Sequence, residues 1–109
     1  MADLAQFLYR IVPTRPEMLV SGPDEREMQA IDVHFAHLQR LAADGTLLMA
    51  GRTVDTGLAT FGIVVLRAPS LAEAEVPMRS DPAIAQGVVR SELFPYRVAA
   101  WADAWKPTA

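Results

Sequence analysis

The sequence contains no cysteine. That single absence excludes disulfides, thiolate metal sites and cysteine nucleophiles together, and it suits a reducing compartment. Positive charge is sparse as well: ten lysines and arginines stand against thirteen acidic residues, for a formal net charge of −3. The basic residues are scattered rather than clustered, so nothing is built to neutralise a phosphate backbone and no nucleic-acid partner is expected. No apolar run approaches the roughly 20 residues that span a bilayer, so no membrane partner is expected either. The first residues, MADLAQFLYRIV, lack the basic segment and cleavage site of a secretory leader, and the expectation is a soluble cytoplasmic protein. Glycine-rich phosphate loops, a nucleophile elbow and internal repeats are all missing, which disfavours nucleotide cofactors and serine hydrolysis. No cofactor is expected.

What is present is a core. With 51% hydrophobic residues in a chain of 109, a single domain is expected over residues 1–101. Residues 102–109, with Trp105 and Pro107, read as a tail of the kind that docks on a partner subunit. Both histidines lie on one amphipathic stretch. Asp24, followed by acidic Glu25 and Glu27, suits a helix start, and Gly45 supplies a left-handed stop. At about 100° per residue, Met28, Ile31, Phe35, Leu38, Leu41 and Ala42 share a face. With Ile31 and Phe35 at its centre, His34 looks inward and His37 sits sideways at the boundary.

Around this helix the chain alternates. Leu4 to Val12 reads as a buried strand, stopped by proline. The segment from Pro13 to Pro23, with three prolines and a glycine, is a surface connection able to cover a pocket. Thr46 to Arg52 is a second strand closed by Gly51, and Thr60 to Arg67 is a third, with Gly62 marking a bulge. Ser70 and Glu73 have capping-box spacing and start a second helix, which Pro77 should end or kink near Val76. Asp81-Pro82 has the order of an N-cap and first helical residue, terminated at Gly87. Val88 to Trp101 is a long β-prone run in which Pro95 demands an edge, a bulge or a break.

The order β-α-β-β-α-β predicts an α+β protein: a ferredoxin-like protomer with a four-stranded antiparallel sheet and both helices on one face. The bare face then needs a cover, which a two-fold partner supplies, so a homodimer or a higher oligomer is expected.

Several segments taken together resemble the YCII-related (YciI-like) family. They are His34 with Leu38, the run Leu41-Ala42-Ala43-Asp44-Gly45, Leu47-Leu48-Met49-Ala50-Gly51, Ser70-Leu71-Ala72-Glu73-Ala74, and Asp81-Pro82 with Gly87-Val88. The resemblance spans most of the chain. It implies a dimeric α+β barrel built from ferredoxin-like protomers and a paired histidine and aspartate, which map to His34 and Asp81. Related proteins include a dehydrochlorinase acting on a hydroxylated aromatic, and the muconolactone isomerases are similar. Two departures bear on the pocket: many relatives have proline where this chain has Arg52, and Pro77 interrupts the second helix.

A histidine, with an ordinary pKa near about 6.5, can take or give a proton at neutral pH, and a carboxylate on one ring nitrogen fixes its tautomer. In that scheme His34 transfers the proton and Asp81 orients the ring. The plain alternatives are a core histidine bonded to a carbonyl and an aspartate that only caps a helix. The last two roles can coexist, because a carboxylate has two oxygens. Arg52, beside Gly51 at a strand end, is placed to hold a substrate carboxylate or enolate, or else to make a surface ion pair. Tyr9 and Arg10 alternate on the first strand, so one faces the helices and the other the dimer side; Tyr9, Gly51 and Arg52 are taken as substrate-binding candidates. His34 and His37 are three apart but separated on the helical wheel, and no metal site is expected. The methionines and tryptophans read as packing.

The function expected is proton transfer, of isomerase or lyase (dehydrohalogenase) type, on a small cyclic or aromatic acid. The competing expectation is a non-catalytic small-molecule-binding or accessory dimerisation domain.

Overall fold

A computed structural model describes residues 4–55 and 57–106. Strand β1 (Ala5–Pro13) leads through a 3-10 turn (Pro16–Leu19) into α1 (Glu25–Ala43). Then come β2 (Leu47–Arg52), β3 (Gly62–Ala68), α2 (Leu71–Arg79), the single turn α3 (Pro82–Ala85) and β4 (Val89–Tyr96). The strands form one sheet in the order β2-β3-β1-β4, every pairing antiparallel. This is the ferredoxin-like arrangement that the pattern of elements predicts.

Strand alternation sorts the side chains onto two faces. Phe7 and Tyr9 of β1, with Val64 and Leu66 of β3, are buried beneath the helices together with Leu38, Ala74 and Met78. On the opposite face Leu8 lies between Val65 and Phe94, and Met49 sits beside Val65. Arg10 is on that face too, its guanidinium 4.9 Å above the Phe61 ring. So Tyr9 turns to the helices and Arg10 away from them.

The helical face of α1 differs from the expected one. Its buried residues are Glu27, Ala30, His34, His37 and Leu38, whereas Met28 and Phe35 are more than half exposed. The stripe is rotated by about a quarter-turn. Apolar periodicity misplaces it because three polar side chains on this face have partners and can be buried. Glu27 completes a capping box with Asp24 and also receives Arg15, His34 meets Asp81, and His37 meets the Pro77 carbonyl. His37 is therefore no boundary residue; it is as buried as His34, each about 8% exposed.

Three further expectations are corrected. The helix α2 runs through Pro77 to Arg79, with the Ser80 amide still reaching the Val76 carbonyl at 3.0 Å. Proline this close to the helix end removes one bond and leaves the last turn intact. The register irregularity falls between Leu47 and Met49, on β2, rather than at Gly62. Gly62 instead permits close approach: a Cβ there would lie 2.9 Å from Ile11 Cγ1 and 3.2 Å from the Gly51 carbonyl oxygen. Finally, β4 stops at Tyr96, and Pro95 is accommodated because β4 is an edge strand.

The proline-rich connection is clamped to the start of α1. Arg15 reaches Glu27 through Nε at 3.0 Å and Nη2 at 2.5 Å, and Nη2 also meets the Gly22 carbonyl. Arg15 holds the Glu27 carboxyl below the usual carboxylate range. A carboxyl depressed in the folded state stabilises the fold above its unfolded value of 4.5 and loses that contribution as pH falls through the folded value. The variant Glu27→Gln is thus expected to unfold at a lower urea concentration than the wild type at pH 7. The gap should close progressively as the pH is taken below 4.5.

Candidate active site

A cleft of ≈ 580 Å³ opens between α1, the paired ends of β2 and β3, and the segment before α1. Its walls are apolar for the most part, with Ile11, Leu38, Leu47 and Ile63 among them, and Met18 and Leu19 of the 3-10 turn close one side. The proline-rich connection thus does contribute to a pocket wall. His34, Gln39, Arg52 and Thr60 supply the polar side chains.

His34 is the pivot of this wall. Its Nδ1 lies 2.6 Å from Oδ2 of Asp81, a residue with no exposed surface. An ionised carboxylate has only acceptors, so Nδ1 carries the hydrogen and donates, leaving Nε2 as the basic nitrogen of the neutral ring. Among the described residues no buried side-chain nitrogen or oxygen lacks a partner and no hydrogen bond is made to Nε2, so this nitrogen keeps some accessible surface on a residue that lines the cleft. Asp81 also caps α3: its Oδ1 accepts the Ala83 amide at 3.0 Å. Capping and pairing are therefore divided between the two oxygens.

Asp81 has a third donor, the Tyr9 hydroxyl, 3.4 Å from Oδ2. Tyr9 is fully buried and forms no part of the cleft wall. It stands behind the cleft, against Asp81. Its hydroxyl pKa is raised far above the ordinary range, first by burial and then by the negative charge and hydrogen bond of Asp81, so it remains a donor. Sequence patterning carried one signal for this. Tyr9 alternates with Phe7 on the covered face of β1, and a buried phenol needs a polar partner.

Arg52 and Gly51 both line the cleft where β2 ends. Among the described residues Arg52 makes no ion pair, though Asp55 feels its charge. Gly51 leaves that stretch of wall without a side chain, and a Cβ there would meet nothing within 4 Å. His37 faces elsewhere: its Nε2 meets the Pro77 carbonyl at 2.8 Å, so the two imidazoles do not converge on one point.

A four-stranded antiparallel sheet in the order β2-β3-β1-β4, with the helices on one face and a cleft between helix and sheet, defines the class: an α+β protein of the ferredoxin-like type. Within that class, the chain belongs to the YCII-related domain family, whose model matches residues 7–101. Among solved structures it is similar to the 5-chloro-2-hydroxyhydroquinone dehydrochlorinase of Burkholderia phenoliruptrix AC1100, solved in complex with 2,5-dihydroxybenzoquinone. The two are 20% identical, with a TM-score of 0.63 over 84% of this chain and 93% of that one. No curated protein matches the sequence.

Deleting a buried carboxylate leaves the donors it receives without an acceptor, at a cost of about 1–3 kcal/mol for each one left unsatisfied. Asp81→Ala is expected to lose stability on that scale in urea unfolding, because the α3 cap goes with it. Asp81→Asn, which keeps an acceptor for the Ala83 amide, should lose distinctly less.

Proposed function

We propose that this protein is an enzyme in which His34 moves a proton to or from a small cyclic or aromatic acid bound in the cleft. The observation that carries the reading is the 2.6 Å contact from Nδ1 to buried Asp81, which leaves Nε2 as the basic atom at the cleft surface. Nε2 takes the proton from the substrate and the ring becomes imidazolium. Asp81, already bonded to the opposite nitrogen, stabilises that charge and holds the ring plane. In an isomerase the same ring returns the proton to a neighbouring atom. In a dehydrohalogenase the halide departs as the proton is lost, and the ring later releases its proton to water. The structural neighbour is named for loss of chloride from a hydroxylated ring, a reaction that needs such a base. Arg52, at the end of β2, is placed to balance the negative charge of a carboxylate or enolate.

We further assign the uncovered sheet face, where Met49, Phe94 and Tyr96 are exposed beside the half-buried Leu8, to a homodimer interface. Apolar side chains on a bare sheet face favour a second sheet against them. Sedimentation equilibrium should give twice the chain mass of 11.9 kDa; a monomer at micromolar concentration removes this assignment.

The chemistry is tested by following product formation from a panel of cyclic acids, lactones and chlorinated hydroquinones, 5-chloro-2-hydroxyhydroquinone included. His34→Gln should lower turnover of any accepted substrate by about 10²–10⁴-fold with little change in binding. Unchanged turnover in this variant refutes His34 as the proton carrier. Binding by the wild type without turnover of any panel member favours a non-catalytic binding domain.

A further inference from the structure

Tyr9 lies in the middle of β1, opposite Val64 of β3 and Leu93 of β4. Strands pin it on both sides, and it has no exposed surface. Among the described residues its hydroxyl has a single hydrogen-bond partner, the Asp81 oxygen that also receives His34 Nδ1. The other Asp81 oxygen is taken by the Ala83 amide. We infer that Tyr9 is a positioning residue which sets the basicity of His34 through Asp81. The inference rests on the reading of His34 as the proton carrier and extends it to a residue that never meets the substrate.

The effect of Tyr9 on the pair is electrostatic. A carboxylate that accepts several hydrogen bonds spreads its charge among the donors and pulls less strongly on each. The Tyr9 hydroxyl therefore weakens the hold of Asp81 on the Nδ1 hydrogen of His34. The imidazolium is then less stabilised than it would be by Asp81 and His34 alone, so His34 Nε2 remains a free base to a lower pH. The phenol is suited to this because burial and the adjacent carboxylate keep it from ionising. It is therefore a neutral donor to Asp81.

Other charged groups around the pair are accounted for. On α1, His37 is bonded to the Pro77 carbonyl and Arg26 to the Gln86 carbonyl. On α2, Arg79 pairs with Glu75 at the surface. Alternation places Arg10 of β1 and Glu92 and Arg90 of β4 on the opposite sheet face from Tyr9. Arg52 of β2 shares the cleft with His34, so its positive charge opposes protonation of the ring alike in all variants below. Thus Asp81 and Tyr9 are the pair whose change His34 should report.

The test is the titration of the His34 ring followed by NMR, with His37 as internal reference, in the wild type, Tyr9→Phe, Asp81→Asn and the double variant. Phenylalanine keeps the buried ring and removes one oxygen, and the dispersed amide spectrum of each variant establishes that it is folded. In Tyr9→Phe the His34 midpoint should rise by at least about half a pH unit while that of His37 stays put. In the Asp81→Asn background the same substitution should move His34 by much less. If Tyr9→Phe leaves the midpoint unchanged although Asp81→Asn shifts it, Tyr9 serves packing only and the inference fails while the pair stands. If Asp81→Asn itself does not shift His34, the coupled pair and this inference fall together. An equal shift in both backgrounds shows that Tyr9 does not act through Asp81, and overturns the inference as well. If Tyr9→Phe proves too unstable to titrate, Tyr9→3-fluorotyrosine, a more acidic phenol and hence a stronger donor of nearly the same size, must lower the His34 midpoint; a rise or no change overturns it.

Discussion

The contact between His34 and Asp81 is the interaction on which the rest of the molecule turns. It joins residues 47 positions apart and ties the middle of the longest helix to the start of a single helical turn. Burying such a pair costs solvation free energy that a pair of apolar side chains would not, so its value lies in geometry rather than in net stability. Both oxygens of the buried carboxylate are used, by donors from three different places: helix α1, strand β1 and the backbone of α3. The sheet fixes one donor, the helix another and the chain turn the third. Only the complete fold brings all three to one residue.

Much of the fold was legible because it is periodic. The alternation of β1, the run of β3, the Asp24 and Ser70 caps and the Gly45 stop, at φ 84°, are local signals, and each element lies close to where they place it. The misplaced face of α1 has a single cause. Hydrophobic patterning assumes that polar residues look outward, yet Glu27 and His37 look inward with His34 because each has a partner there: Asp24 and Arg15 for Glu27, the Pro77 carbonyl for His37 and Asp81 for His34. Pro77 does not end α2 because it stands two residues from the helix end, where the penalty of a helix interior does not apply in full.

The site was legible in part and by two routes. His34 and Asp81 came from resemblance to a family, supported by the general chemistry of imidazole beside carboxylate. The cleft position of Arg52 and Gly51 followed from the strand end. The environment of Tyr9 could not be read, because its partner is 72 residues away and strand alternation gives a face without saying what waits there. The cleft wall built by Met18 and Leu19 was foreseen only as a covering loop; the clamp from Arg15 to Glu27 that fixes it was not, since neither residue stands out in composition.

The two histidines of α1 have a mechanical consequence. They are three residues apart, about one helical turn, and they grip residues four apart at the corner between α2 and α3: the Pro77 carbonyl and the Asp81 carboxylate. A body fastened by one pin can still pivot about it; a body fastened by two cannot. With His37 as the second pin, α2 and α3 are held against swinging about the His34 contact, and the direction in which the imidazole meets its carboxylate becomes a property of the whole helix pair. The histidine outside the cleft thus acts as the brace of the one that lines it.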